Sequence, residues 1–197
     1  MKKIVLIGPE STGKSFLCEQ LAAHFKTMWC PEYARDYLNK NGKEYTYSDL
    51  LAIAKGQIEQ EEQYLRSMEE MYRISKEHSV ESRKQGSEKY DEPLFIDTDM
   101  YVMKVWCEFV FGKCHSFITD AIASRTYDLY LLCNTDLPWV KDELREYPDE
   151  AVRKKLFGIY KSLLQHQKTP WIEISGSYDE RTMQAVESVK KFCGINQ

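Results

Sequence analysis

The sequence predicts an α/β protein of three layers, with a five-stranded parallel sheet between two layers of helices. Two observations lead to this class. Five short apolar runs occur along the chain, and a helical pattern follows each of them. The length of 197 residues is sufficient for one domain whose core needs neither disulfides nor metals. We therefore expect residues 1–197 to form a single domain.

The predicted strands and helices alternate in the order that a parallel sheet with crossover helices requires. The strands fall at residues 4–7, 27–30, 93–97, 128–133 and 171–174. The helices fall at residues 15–26, 33–41, 48–77, 99–112, 151–167 and 179–192. Ser48 with Asp49 indicates the start of the third helix. The polar stretch 77–92 is interpreted as an exposed connection, with a mobile substrate-site flap as the alternative.

Charge and cysteine content argue against several classes of protein. The net charge of −4 provides no basic face for nucleic-acid phosphates. The six cysteines contain no CxxC pair, which favours structural thiols. No apolar run approaches the ~20 residues of a membrane span, and the apolar run behind Met1 is too short for a secretory signal. We expect a cytoplasmic protein without nucleic-acid or membrane partners.

The strongest motif is GPESTGKS at residues 8–15, which matches GxxxxGK[ST] directly behind the first strand. Its glycines let the backbone wrap a triphosphate, and the helix that follows directs free N–H groups at the anion. An ordinary glycine-rich turn would not need strand, loop and helix in this order. We expect ATP contacts from Gly8, Glu10, Ser11, Thr12, Gly13, Lys14, Ser15 and Phe16. Lys14 adds a mobile positive charge, and Ser15 offers its hydroxyl to Mg²⁺.

A carboxylate ends the third predicted strand at Asp97, where a magnesium-binding acid belongs in a P-loop protein. Many strands end in Asp for turn or capping reasons, so the cradle upstream is what favours Asp97 as the metal-binding acid. Asp99 has two open roles. It caps the next helix or contacts a substrate hydroxyl.

The segment PEYAR at residues 31–35 follows the second strand, so it lies at the carboxyl edge of the sheet beside the cradle. Glu32 is placed to orient an attacking hydroxyl and to accept its proton. The alternative is a surface ion pair between Glu32 and Arg35, three residues apart on a helix.

A lid is predicted at residues 134–150, after the fourth strand. In P-loop kinases such a segment folds over the phosphates, spreads the developing charge and excludes water. Arg145 and Arg153 are the candidate catalytic cations, with a solvated helix face as the alternative for Arg153. Trp139 either forms part of the site wall or packs beneath the lid.

Four motifs in this order, GPESTGKS, PEYAR, FIDTD and DLPWVxDxxR, resemble the ribosylnicotinamide kinase domain of bacterial NAD-biosynthesis regulator proteins. The similarity continues through GSYDER at residues 176–181 and covers nearly the whole chain. The resemblance implies a P-loop kinase fold that uses ATP and Mg²⁺ to phosphorylate nicotinamide riboside. Full-length relatives carry upstream adenylyltransferase and DNA-binding parts, and those roles are not expected of a chain that starts at the first kinase strand.

The resemblance also implies an acceptor site, here assigned to Glu32, Tyr33, Arg35, Asp99, Tyr101 and Trp106. Pro31 stands where the family often carries an aromatic residue, so Tyr33, Tyr101 or Trp106 is expected to stack on the ring. Two alternatives stay open. One is a kinase for another nucleoside or small hydroxyl acceptor, and the other is a regulatory ATP-binding module that hydrolyses ATP slowly.

Overall fold

The computed structural model describes residues 1–78 and 92–195 and has the predicted five-stranded sheet. The strands are β1 (Lys2–Ile7), β2 (Trp29–Cys30), β3 (Pro93–Asp97), β4 (Leu129–Cys133) and β5 (Trp171–Ile174). All pairs are parallel, in the order β2-β3-β1-β4-β5. The predicted exposed connection, with its flap alternative, falls mainly on residues 79–91, which lie outside the described residues.

The helices follow the predicted order with one addition. They are α1 (Lys14–Phe25), α2 (Tyr33–Asn41), α3 (Tyr47–His78), α4 (Met100–Phe111), α5 (Ser116–Ser124), α6 (Glu150–Gln165) and α7 (Tyr178–Cys193). The sequence analysis missed α5, a short helix of nine residues that follows the left-handed Gly112 at the end of α4. No helix of the described residues is both long enough and apolar enough to cross a membrane.

The predicted start of α3 was wrong by a small margin. The helix begins at Tyr47 because Thr46 and Asp49 cap it reciprocally. The Asp49 carboxylate accepts from the Thr46 N–H at 2.7 Å, and the Asp49 N–H donates to the Thr46 hydroxyl at 3.4 Å. Thr46 therefore takes the capping position that the sequence analysis gave to the next polar pair.

The central strand β1 separates two apolar layers. Ile4 and Leu6 pack with α1 and α7 on one face of the sheet, whereas Val5 and Ile7 pack with α3, α4 and α6 on the other. All four side chains are fully buried, as expected of a parallel strand covered by helices on both sides. Burying each such side chain contributes roughly 1.5–3 kcal/mol.

All five strands run in the same direction, so the loops that follow them meet at one edge of the sheet. Open α/β sheets bind ligands at this carboxyl edge. The loop after β1 is the phosphate cradle (residues 8–16), and the segment between β4 and α6, residues 134–149, is called the lid segment here. Four of the six cysteines, Cys18, Cys30, Cys107 and Cys133, are buried thiols, which agrees with a structural role.

Candidate functional site

The cradle has a backbone that only glycine fits at two points. Gly8 has a φ of +145°, and a Cβ there would lie 2.6 Å from the carbonyl oxygen of Cys133. Gly13 precedes α1 with a φ of +76°, in the left-handed region. The Lys14 ammonium reaches back over the loop and donates to the carbonyls of Gly8 at 3.0 Å and Pro9 at 2.9 Å. The cation therefore lies where a bound phosphate needs it.

A buried arginine braces the cradle from behind. Arg181 donates to the carbonyls of Gly176 at 2.8 Å, Thr12 at 3.0 Å and Asn134 at 2.9 Å, and it pairs with Asp136. These contacts join the loops that follow β1, β4 and β5. The sequence analysis gave Arg181 no role of its own.

The magnesium side of the cradle brings Ser15 and Asp97 together, as the motif predicts. The Ser15 hydroxyl donates to Oδ2 of Asp97 at 2.5 Å. Oδ1 of the same carboxylate is buried without a hydrogen-bond partner. Burial, assisted by the nearby Glu32 carboxylate, raises the pKa of Asp97 to about 6, although Lys14 acts in the opposite direction. A divalent cation would supply the partner that Oδ1 lacks, so these residues fit Mg²⁺.

Two glutamines of α3 hold the turn that carries Glu32. Gln57 accepts from the Tyr33 N–H at 2.7 Å, and Gln60 donates to the Pro31 carbonyl at 2.6 Å. Glu32 stands at the N-cap position of α2 and lines the same cavity as the cradle. The two bonds therefore fix the backbone on either side of Glu32.

Arg35 pairs with the lid and not with its neighbour on α2. Its guanidinium lies 3.2 Å from the Asp142 carboxylate. The surface ion pair with Glu32 was the alternative interpretation of this segment, and the structure gives Arg35 a different partner.

Three of the predicted acceptor residues lie away from the cavity. Asp99 caps α4 by accepting from the Tyr101 N–H at 2.9 Å, and it accepts from the Tyr130 hydroxyl at 2.8 Å. It is buried, and burial raises its pKa to about 7. The Tyr33 ring lies so close to Gly56 that a Cβ there would collide with it. Tyr101 packs edge-on against Tyr130 with centroids 5.8 Å apart. The structure therefore shows the capping role for Asp99 and core positions for Tyr33 and Tyr101.

The lid segment is hydrogen-bonded to the cradle through Ser11, a residue with a φ of +55°. The Ser11 hydroxyl accepts from the Val140 N–H at 3.0 Å and from the Arg145 guanidinium at 3.4 Å. Arg145 also donates to the Val140 carbonyl at 2.6 Å and lines the cavity. This position suits the predicted role of a cation over the phosphates.

Arg153 differs from both interpretations of its sequence. It is only 3% exposed, so it does not begin a solvated face, and it is not part of the cavity wall. Its guanidinium donates to the carbonyls of Ser11 at 3.0 Å and Leu137 at 3.3 Å. The same group lies 5.6 Å over the ring of Trp139. Arg153 therefore joins the cradle to the lid segment through backbone carbonyls from a buried position.

A cavity of about 300 Å³ joins the cradle to Glu32, Arg35 and Arg145. Its far side carries five rings, called the aromatic wall here: Tyr45, Trp106, Phe109, Tyr147 and Tyr160. The rings of Tyr45 and Trp106 meet edge-on at 4.9 Å, and those of Phe109 and Tyr147 at 5.3 Å. Only Trp106 was predicted, because the others come from separate segments without a shared motif.

A second pair of rings lies beside Gly13 of the cradle. Phe16 and Tyr178 meet edge-on with centroids 4.9 Å apart and are 39% and 41% exposed. Both line the cavity, and Tyr178 lies beside Gly13. Exposed rings next to a phosphate cradle are suited to stack on a planar base.

The parallel sheet, the cradle and the Ser15–Asp97 pair define a P-loop nucleotide-binding domain. A family model described as AAA domain matches residues 3–181, and the chain belongs to this family. It is 29% identical over 200 residues to the trifunctional NAD biosynthesis/regulator protein NadR of Escherichia coli (strain K12), and 30% identical to that of Salmonella typhimurium. Each match covers 98% of this chain and 43% of the relative, so the chain spans less than half of these curated relatives. The predicted resemblance is confirmed.

Solved structures show the same fold. A NadR protein in complex with NR has a TM-score of 0.70 at 21% identity, covering 99% of this chain and 50% of that chain. A NadR protein with NAD and AMP-PNP has a TM-score of 0.67 at 19% identity, covering 100% and 50%. Thymidylate kinase from Ehrlichia chaffeensis has a TM-score of 0.60 at 11% identity, covering 95% and 98%. The P-loop kinase-like fold is therefore confirmed.

Proposed function

We propose that residues 1–197 act as one kinase domain that transfers the γ-phosphoryl group of ATP to a ribose hydroxyl of nicotinamide riboside. The observation that carries this proposal is the single cavity that joins the phosphate cradle, Glu32 and the aromatic wall. The similarity to NadR supports it, since one solved NadR is a complex with NR and another is a complex with NAD and AMP-PNP.

The composition of the cavity favours a flat cationic ring. The pyridinium of nicotinamide riboside carries a positive charge, whereas the common nucleoside bases are neutral. Aromatic faces attract cations, and the Glu32 carboxylate lines the same cavity, whereas the Glu143 carboxylate there is paired with Lys43. This combination supports nicotinamide riboside as the acceptor over a neutral nucleoside.

The transfer step needs one base and several positive charges. The acceptor oxygen forms a bond to the γ-phosphorus while the bond from phosphorus to the departing ADP oxygen breaks. Glu32 accepts the proton of the hydroxyl. Lys14 and Arg145 stabilise the charge that develops on the transferred phosphoryl group. Magnesium held by Ser15 and Asp97 would neutralise charge on the β- and γ-phosphate oxygens.

The lid segment completes the site by excluding water. A kinase must favour transfer to its acceptor over hydrolysis, which requires the cavity to be closed while ATP reacts. Arg145 reaches the cavity from the lid segment, so closure also places a cation there. ATP binding is completed on the other side by Phe16 and Tyr178, which are positioned to stack on the adenine ring.

An acceptor panel tests the proposal. The protein is incubated with ATP and Mg²⁺ and with nicotinamide riboside, uridine, cytidine and deoxynucleosides at equal concentration, and each monophosphate is measured by mass. A Lys14→Ala preparation serves as the control for contaminating kinases. We expect nicotinamide mononucleotide as the main product. Preference for a pyrimidine or deoxynucleoside would overturn the acceptor assignment, and ADP release that does not depend on any acceptor would indicate an NTPase.

A further inference from the structure

The lid segment is attached to the cradle by its backbone. Oε2 of Glu10 accepts from the Glu146 N–H at 2.9 Å and from the Tyr147 N–H at 3.2 Å. Glu10 belongs to the ATP-binding motif, and burial raises its pKa. The backbone of the lid segment at residues 146 and 147 is therefore attached to the cradle.

The same lid segment also contacts the acceptor side. Two of these contacts are ion pairs, Arg35 with Asp142 at 3.2 Å and Lys43 with Glu143 at 2.5 Å. The Glu143 side chain is 83% exposed, and exposed pairs of this kind contribute little stability. The ion pairs therefore do not explain how an acceptor would influence the lid.

A third contact differs because it reaches into the aromatic wall. The Tyr45 hydroxyl donates to the Glu146 carboxylate at 2.8 Å and accepts from the Trp106 indole N–H at 2.8 Å. Burial raises the pKa of Tyr45, so the hydroxyl stays protonated and able to donate. One oxygen atom thus joins a ring of the acceptor side to the lid.

We propose that Tyr45 and Glu146 form a latch through which an acceptor against the aromatic wall closes the lid over ATP. The latch rests on the proposed kinase function. An acceptor that packs on Trp106 fixes the indole N–H, which orients the Tyr45 hydroxyl toward Glu146. Tyr45 and Glu146 are positioning residues, because they act through the lid and not on the reacting atoms.

The latch couples the two substrates. Glu146 follows Arg145 in the chain, so closing the latch holds the backbone that carries the lid cation. The N–H of Glu146 bonds to Glu10 in the cradle, while its carboxylate bonds to Tyr45 on the acceptor side. The lid then closes fully only when it is bonded to both the cradle and the acceptor side. This favours transfer to the acceptor over transfer to water, because a lid without the bond to Tyr45 admits water.

Tyr45→Phe tests the latch, because it keeps the ring and removes the bonding oxygen. Losing the hydrogen bond between Tyr45 and Glu146 should change the equilibrium between open and closed lid by about fivefold. We expect kcat for acceptor phosphorylation to fall about fivefold, with a smaller change in the KM of the acceptor. The ADP released per phosphorylated acceptor should rise. Tyr37→Phe is the matched control, since Tyr37 donates to the Asp49 carboxylate at 2.7 Å outside the cavity.

A double-mutant cycle tests whether Tyr45 and Glu146 act through the bond between them or independently of each other. Tyr45→Phe, Glu146→Ala and the double variant should show the same ratio of ADP to phosphorylated acceptor, because each breaks the same bond. Glu59→Ala, an exposed substitution on α3, controls for the change of charge. Additive effects, or a wild-type ratio in Tyr45→Phe, would overturn the latch while leaving the kinase function intact.

Amide hydrogen exchange tests the latch without any acceptor or ATP present. The amides of Glu146 and Tyr147 are bonded to Glu10, so their exchange reports lid opening in the protein without substrates. We expect about fivefold faster exchange in Tyr45→Phe and no change in Tyr37→Phe. Equal exchange in the two variants would contradict the latch. Failure of wild-type protein to phosphorylate nicotinamide riboside would contradict only the proposed function.

Discussion

The two sides of the cavity are built in different ways. The cradle is one continuous segment, residues 8–16, and its shape depends on backbone geometry at Gly8 and Gly13. The acceptor side is assembled from side chains of α2, the loop behind it, α4, the lid segment and α6. Few residue types fit the backbone conformation of the cradle, whereas the side chains of the aromatic wall can be substituted without a change of fold. We therefore expect the cradle to set the type of reaction and the aromatic wall to set the preference for an acceptor.

This difference makes a general prediction about variants. Substitutions in the cradle should impair reaction with every acceptor, because all of them need the same triphosphate geometry. Substitutions in the aromatic wall should change the preference among acceptors and leave ATP binding in place. The following experiments test this separation, from the largest expected effect to the smallest.

Lys14→Ala should reduce turnover by at least about a hundredfold with every acceptor, because it removes a cation from the developing charge. Lys14 contacts only the carbonyls of Gly8 and Pro9 among the hydrogen bonds of the cradle, so the thermal midpoint should stay close to that of wild type. Steady-state kinetics and thermal melts measure both quantities, with the exposed Lys154→Ala as control. A folded Lys14→Ala protein with near-normal turnover would remove the cradle from the mechanism.

Glu32→Gln and Asp97→Asn should produce defects of different kinds. Glu32→Gln leaves ATP binding intact and lowers transfer by about tenfold to a hundredfold, because the acceptor loses its base. Asp97→Asn raises the Mg²⁺ concentration needed for half-maximal activity. Magnesium titrations and ATP affinity measurements for both variants distinguish the two roles. If Glu32→Gln abolishes ATP binding but spares transfer at saturating ATP, Glu32 is not the acceptor-side base.

The sequence was sufficient for the cradle because its chemistry is local. Residues 8–15 follow a buried strand and precede a helix, so their order along the chain specifies their arrangement in space. Asp97 and Glu32 were predictable for a related reason. Asp97 is the last residue of β3 and Glu32 follows β2, and the carboxyl ends of parallel strands meet at one edge of the sheet.

The aromatic wall was not predictable because tertiary packing decides which rings face the cavity. Tyr33 stands beside Glu32 in sequence, yet its ring packs on Gly56 of α3. Tyr45 gives no signal in the sequence, because its role depends on contacts with Trp106 and Glu146 from distant segments. For Tyr33, the only local sign in the sequence was Gly56, a glycine within the helical pattern of α3, which leaves room for the ring.

Arg153 and Arg181 show the same limit for charged residues. Arg153 was expected either to act as a catalytic cation or to begin a solvated helix face, and no role was predicted for Arg181. Both are buried and bonded to backbone carbonyls of the cradle. One signal was present for Arg181. Ser177 and Glu180 form a capping box at the start of α7, which places Arg181 in the first turn next to the cradle.

Arg181→Ala should lower the free energy of unfolding by about 2 kcal/mol or more, because three buried carbonyls and Asp136 lose their partner. Chemical denaturation measures this loss. Arg73→Ala is the control, since Arg73 forms an exposed ion pair with Glu70 and should change stability by less than about 0.5 kcal/mol. Wild-type stability in Arg181→Ala would show that the brace is not structural.

Tyr178→Ala should have the smallest effect, and it tests which end of the cavity receives the adenine. Tyr178 is 41% exposed, packs edge-on against Phe16 beside the cradle and is not one of the rings of the aromatic wall. Losing one stacking face costs about 1 kcal/mol, so the KM for ATP should rise about fivefold while the KM for the acceptor stays unchanged. Met183→Ala, an exposed substitution on the same helix, is the matched control. Steady-state kinetics with each substrate varied in turn measure both constants. A rise in the KM for the acceptor instead would place the acceptor ring at Tyr178 and reverse the assignment of the two ends of the cavity.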